Sequence, residues 1–220
     1  MKFKQNLICF LSAFLILLII GSVSYNNREK LYINNENIDK RVISFFQKDY
    51  EDVLPVLKEC YTEDCDLVVE VEATGENQYV DGYLFQEIEY VKAIKGEVDE
   101  SKLHTKKYLV GNGWTEGDRA TSMGYVNYMK KGEHYIVFLN TIVDDYNNNS
   151  SVFAVNCDYI GLRYLNISTD YSYVCNEKGT QTEYKNVKNS EFFVNNEDTL
   201  KKLEDYKHEV LKDLNVKTYY

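Results

Sequence analysis

The chain has 220 residues, a formal charge of −10, 44% hydrophobic residues, 20 tyrosines and a single proline. It carries enough apolar material for one ordinary buried core with additions, which argues against intrinsic disorder. The acidity argues against nucleic acid as a partner, because phosphate backbones are repelled, and against electrostatic docking on anionic lipid.

The amino terminus has a different composition. Lys2 and Lys4 precede an apolar run over residues 7–23 that contains no charge. As a helix this run spans about 26 Å at ~1.5 Å per residue, slightly short of a hydrocarbon core of ~30 Å. Two readings stand. One is a cleaved export signal with Ser22, Val23 and Ser24 as a small-x-small cleavage site; the other is an uncleaved anchor, which hydrophobic length favours slightly. A buried core helix fits the position and the flanking lysines less well. Either reading places the chain from Tyr25 onward outside the cytoplasm, with the membrane as a partner through residues 7–23 if the segment is uncleaved. The expected division is 1–24 as signal or anchor, 25–37 as a polar spacer and 38–220 as a β-barrel domain with helical additions.

Beyond the spacer, Ile38, Val42, Phe45 and Phe46 recur at helical spacing and predict an amphipathic helix starting at Glu36 or Asn37. A second short helix is expected over 51–59, with Pro55 in its first turn or at a kink. Leu67, Val69, Val71 and Ala73 then alternate with Val68, Glu70 and Glu72, the period of a strand with one wet face. Residues 75–78 read as its turn. A long strand follows over 79–94, and its apolar parity switches between Phe85 and Ile88, as a bulge would cause. Further strands are expected over 104–110, over 135–139 after a turn at 130–133, and over 152–167 with a break near Gly161. A short one is expected over 192–194, and the polar run 144–151 reads as a loop. Asn195 or Asn196 caps a helix reaching about Leu214, with Leu203, Tyr206, Val210 and Leu214 on its apolar face. The fold class is therefore mainly β: a small five-stranded barrel with flanking amphipathic helices and a carboxy-terminal helix.

Apart from Cys9, the cysteines are Cys60, Cys65, Cys157 and Cys175. In an oxidising compartment four cysteines read as two bridges with three possible connectivities, and proximity favours Cys60–Cys65 and Cys157–Cys175. A bridge closing the second loop contributes roughly 3 kcal/mol in the chain-entropy picture. Structural zinc is disfavoured by the spacing of these cysteines and by the scatter of His104, His134 and His208.

Residues 111–118 contain three glycines and the only tryptophan, Trp114. A tryptophan on a glycine-rich loop is a candidate ligand platform, with Asn112 beside it, although packing over a barrel mouth is the commoner role for a large aromatic. The glycines match neither phosphate-binding nor dinucleotide patterns.

One resemblance emerges from these strands. An Asp-led strand (Asp66-Leu-Val-Val), a long strand ending in a Lys-Gly step at Gly96 and a Lys-Gly-Glu-x-Tyr-x-Val-Phe-Leu strand from Lys131 to Leu139 occur in that order. The pattern resembles the OB-fold barrel of the netrin-module and tissue-inhibitor-of-metalloproteinases group and its exported bacterial relatives. The resemblance covers residues 66–140 and implies a closed five-stranded barrel outside the cytoplasm with a binding role. Those inhibitors ligate a protease zinc through a free amino-terminal cysteine. Here Cys60 follows a long exported segment, so that mechanism is not carried over.

Catalytic patterns are weak. Glu70 with Glu72, and Glu87 with Glu89, share strand faces at spacings a glycosidase pair could use, but 35 acids produce such pairs by chance. No Gly-x-Ser-x-Gly elbow occurs. Asp145, Asn147 and Asn149 imitate the start of a calcium loop, yet Ser150 and Asn156 stand where glycine and glutamate are required. Sequons occur at Asn148, Asn149 and Asn166. No cofactor is expected. The expectation is an extracytoplasmic, membrane-tethered or secreted binding module for another surface protein or peptide. The alternatives are a hydrolase using barrel-mouth carboxylates and a structural envelope protein.

Overall fold

The computed structural model describes residues 14–24, 38–44, 65, 67–80, 83–97, 107–110, 114–115, 121–122, 126–145, 150–155, 164–169, 173–174, 181–194 and 196–219. The chain divides into two units, Met1–Ile33 and Asn34–Tyr220. In the first, residues 14–24 are helical and Phe14, Leu15, Ile16, Leu17, Leu18, Ile19, Ile20 and Val23 are all exposed. Among the described residues no helix is long and apolar enough to cross a membrane.

In chain order the second unit contains a 3₁₀ turn (Ile38–Lys40), β1 (Val42–Ser44), β2 (Leu67–Val80), β3 (Tyr83–Lys95), β4 (Lys107–Val110), β5 (Trp114–Thr115), β6 (Thr121–Ser122), β7 (His134–Asp145), β8 (Ser150–Val155), β9 (Tyr164–Asn166), β10 (Tyr173–Val174), β11 (Gln181–Glu183), α1 (Tyr184–Val187), β12 (Phe193–Val194) and α2 (Glu197–Asp213). It is a mixed α and β unit in which strands dominate. The largest sheet has the order β2-β3-β4-β8-β7-β9, and β2 also pairs with β7. The β4–β8 ladder is parallel; the other ladders of this sheet are antiparallel. A second sheet has the order β11-β1-β6-β5, and β10 pairs with β12.

The long strands form where β-branched and aromatic residues cluster, as on a pleated, buried surface. Val68, Val69 and Val71 of β2 and Tyr135, Ile136, Val137 and Phe138 of β7 are all buried in one core. The single wet face expected for β2 is not found over this stretch, because Val68 and Glu70 are buried as well as Val69 and Val71. A strand covered on both faces loses the alternation that a half-exposed one shows.

The turn expected at 75–78 is also corrected. β2 runs on through Gly75 to Val80, which pairs with Tyr83. Ala73 opposes Ile88 while Asn77 opposes Gln86, so β2 carries extra residues there. The bulge expected on β3 between Phe85 and Ile88 is corrected: β3 pairs there with β4 without a break, the extra residues sit on β2, and the register shifts on β3 itself fall between Tyr90 and Lys95. Gly75 takes φ +82° in the β2 bulge, and a Cβ on it would lie 2.8 Å from Lys131 Cβ. Ala73 N donates to Glu133 O at 3.1 Å and Gly132 N to Ala73 O at 2.8 Å, which binds the bulge to the turn before β7.

Over residues 38–44 the amphipathic helix expected from Glu36 or Asn37 is replaced by the 3₁₀ turn and β1, while Phe45 and Phe46 lie outside the described residues. Val42 and Ile43 suit a strand, and β1 gains partners on both edges, β11 antiparallel and β6 parallel. Residues 51–59 lie outside the described residues. The carboxy-terminal helix forms as expected. Asn196 caps α2 by accepting from Thr199 N at 2.7 Å. Leu203, Tyr206, Val210 and Leu211 are buried, and α2 lies against β10 and β12. The helix ends in a left-handed Asn215 at φ 54°, with Val216 N donating to Leu211 O at 2.9 Å, a Schellman closure.

Gly75→Ala tests the bulge. Left-handed strain and the clash with Lys131 together are expected to cost roughly 2–3 kcal/mol. A clear fall in Tm by thermal unfolding is the expected result, whereas alanine at the open Gly132 position incurs the strain without the clash and costs less.

Candidate functional site

The residues singled out in the sequence are scattered. Trp114 opens β5, at one edge of the four-stranded sheet, and β5 lies against β3. Asn112, Cys60, Cys157 and Cys175 lie outside the described residues. Cys65 is buried, with Sγ 3.1 Å from Leu67 O and 3.5 Å from Leu139 O. Glu87 and Glu89 do not form a shared solvent-facing pair: Glu87 is buried and accepts from Thr74 Oγ1 at 3.1 Å, while Glu89 is exposed. The start of the calcium-like pattern runs into strand β8 at Ser150. Asn166 is buried and its side chain is engaged on both ends, so its sequon is not presented to solvent in the folded chain.

The densest group of titratable side chains at the surface of the described residues surrounds Glu70. Strand pairing sets Glu70 opposite Lys92 of β3, and β7 brings His134 to the same face. Glu70 is 1% exposed. Its Oε2 lies 3.0 Å from Lys92 Nζ, and its Oε1 lies 2.9 Å from His134 Nδ1. The same Oε1 accepts from Tyr219 Oη at 2.9 Å. His134 Nε2 lies 3.8 Å from Glu72, and the rings of His134 and Tyr219 are 5.0 Å apart at 43°. Burial opposes the charge of Glu70, but hydrogen bonds from Lys92, Tyr219 and His134 and the lysine charge outweigh it and hold the carboxyl below its ordinary value. The hydrogen bond and charge of Glu70 raise Lys92 and Tyr219 in turn. The Glu70–Glu72 spacing was the local signal for this group; Lys92, His134 and Tyr219 join it from elsewhere in the chain, Tyr219 from 149 residues away.

A second polar group is interior. Residues 126–130 run through the core without a ladder beyond the Val126–Phe192 bridge, so their amides need other acceptors. Asn127 N donates to Glu191 O at 2.9 Å and Tyr128 N to Asn127 Oδ1 at 2.7 Å. Met129 N donates to Gln86 Oε1 at 2.6 Å and Lys130 N to Tyr135 Oη at 2.8 Å. Tyr164 Oη closes the set by donating to Asn127 O at 2.6 Å. Burial raises the Tyr135 phenol strongly, so it remains a neutral hydroxyl. Beside this segment Lys207 of α2, 0% exposed, pairs with Glu191 at 2.5 Å, and Glu191 also accepts from Asn166 N at 2.7 Å. A cavity of about 10 Å³ lies between Asn127, Tyr135, Asn166 and Glu191, the space of one water and too little for an organic ligand.

Chemically, the interior group is consumed in satisfying the fold. The Glu70 group is different, since Lys92, Glu72 and Tyr219 remain solvent-accessible, and it presents a fixed anionic acceptor to hydroxyl or cationic donors. Among the described residues no group of three or more His, Cys, Asp or Glu is placed to hold a metal ion. No protein-family model matches the chain, and no characterised protein shows significant similarity to it.

Two outcomes follow from this geometry. Lys207→Met leaves the Glu191 carboxylate buried without its cation and is expected to cost about 3–5 kcal/mol in denaturant unfolding. Because Glu70 is lowered on folding, its contribution is complete above its ordinary value of 4.5 and is lost as pH falls through the lowered folded value. The stability difference between wild type and Glu70→Gln should therefore shrink as pH falls below 4.5, with both proteins unfolded in parallel titrations.

Proposed function

We propose that the second unit is an extracytoplasmic binding module built on an OB-like five-stranded barrel, tethered to the membrane or released by processing of the amino-terminal segment. The observation that carries the reading is the order of the ladders. β2 pairs with β3, β3 with β4, β4 with β8, β8 with β7, and β7 with β2. A cycle of five strands with one parallel ladder is what a five-stranded Greek-key barrel of this type requires. The pattern resemblance to the netrin-module and tissue-inhibitor group agrees with it, without the inhibitors' zinc-ligating cysteine. Export is supported by the lysines and apolar run at the amino terminus, whose described side chains are exposed along the whole helix.

The partner is another surface protein or peptide. Barrels of this type bind ligands across the face of their second and third strands, here β3 and β4, a step taken by analogy with the fold. β5, which carries Trp114, follows β4 and lies against β3 on that side. A hydrolase built on Glu87 and Glu89 is not favoured, since Glu87 is buried beneath Thr74.

The test is surface crosslinking of the full-length chain on intact cells that produce it. One saturable adduct is expected, weakened about tenfold by Trp114→Ala with Tm unchanged, as for an aromatic hot spot. A folded chain that yields no saturable adduct removes the reading.

A further inference from the structure

Beyond α2 the tail packs Val216 against the core and then carries Tyr219 to Glu70 of β2 and His134 of β7, where directional contacts hold the tyrosine. Tyr219 N donates to Ile167 O at 2.8 Å, Tyr219 Oη donates to Glu70, and the ring leans on His134. Tyr219 nevertheless remains 60% exposed. Hydrophobic burial therefore contributes little to holding it, and the contacts are those of recognition rather than of core packing.

The receiving surface is fixed without the tyrosine. Lys92 and His134 hold the Glu70 carboxylate from two sides. Ile167 N donates to His134 O at 2.9 Å, and His134 N donates to Ser168 Oγ at 2.7 Å, which pins the backbone that offers the Ile167 carbonyl. A main-chain carbonyl beside a side-chain acceptor offers an extended peptide one backbone bond and one selective side-chain site, the two kinds of contact that peptide capture combines.

We propose that the surface formed by Glu70, Lys92, His134 and the Ile167 carbonyl is a docking site for an extended peptide segment bearing a tyrosine, occupied in cis by the chain's own Tyr219. The proposal stands apart from the Trp114 face and does not depend on it. The selected side chain must donate a hydrogen bond, because Glu70 is an acceptor. Tyrosine satisfies this, phenylalanine does not, and phosphotyrosine brings like charge against the carboxylate. The tail is joined to α2 by a short linker, so it competes at an effective concentration of about 1 mM. A free peptide with a dissociation constant on the order of 0.1 mM is then weakened about tenfold by the resident tail.

The probe is a fluorescent heptapeptide with the sequence of residues 214–220, together with a version in which both tyrosines are phenylalanine. The proteins are the full chain and its Tyr219→Ala variant, checked by circular dichroism. Saturable binding of the tyrosine peptide to Tyr219→Ala, about tenfold weaker binding to wild type, and none of the phenylalanine peptide are expected. Equal binding to both proteins, equal binding of both peptides, or no saturable binding to folded Tyr219→Ala up to about 1 mM overturns the proposal. A second measurement uses the wild type alone. Saturating tyrosine peptide, carboxy-amidated so that the protease does not consume it, is expected to speed carboxypeptidase removal of residues 219–220, and an unchanged rate at peptide excess likewise overturns it.

Discussion

The structure of the second unit depends on β2 being hydrogen-bonded along both edges. On one side β3 pairs with it from Val68 to Val80, and on the other β7 pairs with it from Leu67 to Glu72. From Val68 to Glu72, where both ladders run, the strand has no edge to protect. Both of its faces are covered as well over this stretch, and Val68, Val69 and Val71 meet that with apolar surface. Glu70 is the exception, and its position explains its partners. Lys92 sits directly across the β3 ladder, while the β7 ladder carries His134 opposite Glu72, one step from Glu70. The cost of burying this carboxylate is thus offset by groups that the same two ladders deliver.

A different constraint governs the segment before β7. Residues 126–129 are buried, and a buried segment outside a sheet must replace ladder partners one by one. Gln86 and Asn127 do this with amide side chains, which offer donor and acceptor together. Asn127 also donates to Val187 O and Ser190 O, tying the segment to the end of α1 and the turn after it. The Lys207–Glu191 pair then locks α2 onto the same turn. These groups form one connected network across β3, the 126–130 segment, β9 and α2. In such a network a missing member leaves several others unsatisfied, so the cost of a single substitution exceeds that of one hydrogen bond.

This contrast accounts for how far the sequence could be read. Strand positions were legible where β-branched and aromatic residues ran together, as at 135–139, and the carboxy-terminal helix was legible because the asparagine cap and the apolar stripe at Leu203, Tyr206 and Val210 are local signals. The segment at 38–44 was misread because Ile38 and Val42 fit a helical period, while its pairing with β11 and β6 comes from distant chain. Residues 75–78 were read as a turn; Gly75 does take a positive φ, yet the long-range ladder carries β2 through it. Glu70 was taken as solvent-facing because period 2 cannot reveal what later covers a face. The buried lysine, the amide network and the tail contact all join residues far apart in the chain, and no local pattern encodes them.

The division between consumed and remaining polar groups bears on where activity resides. Asn127, Gln86, Glu191 and Lys207 are buried and engaged within the fold, so altering them acts through stability first. Lys92 and Tyr219 are more than half exposed and Glu72 nearly so, yet they are organised around a buried carboxylate. An exposed group held by a buried one keeps its geometry without being sealed from solvent, which is the condition for a preorganised recognition surface. The tail contact fits that condition better than it fits a structural staple. A staple would bury its aromatic ring, whereas Tyr219 leaves most of its ring in water and engages the surface through an amide, a hydroxyl and one ring edge. Such a contact is weak enough to exchange and specific enough to choose what replaces it.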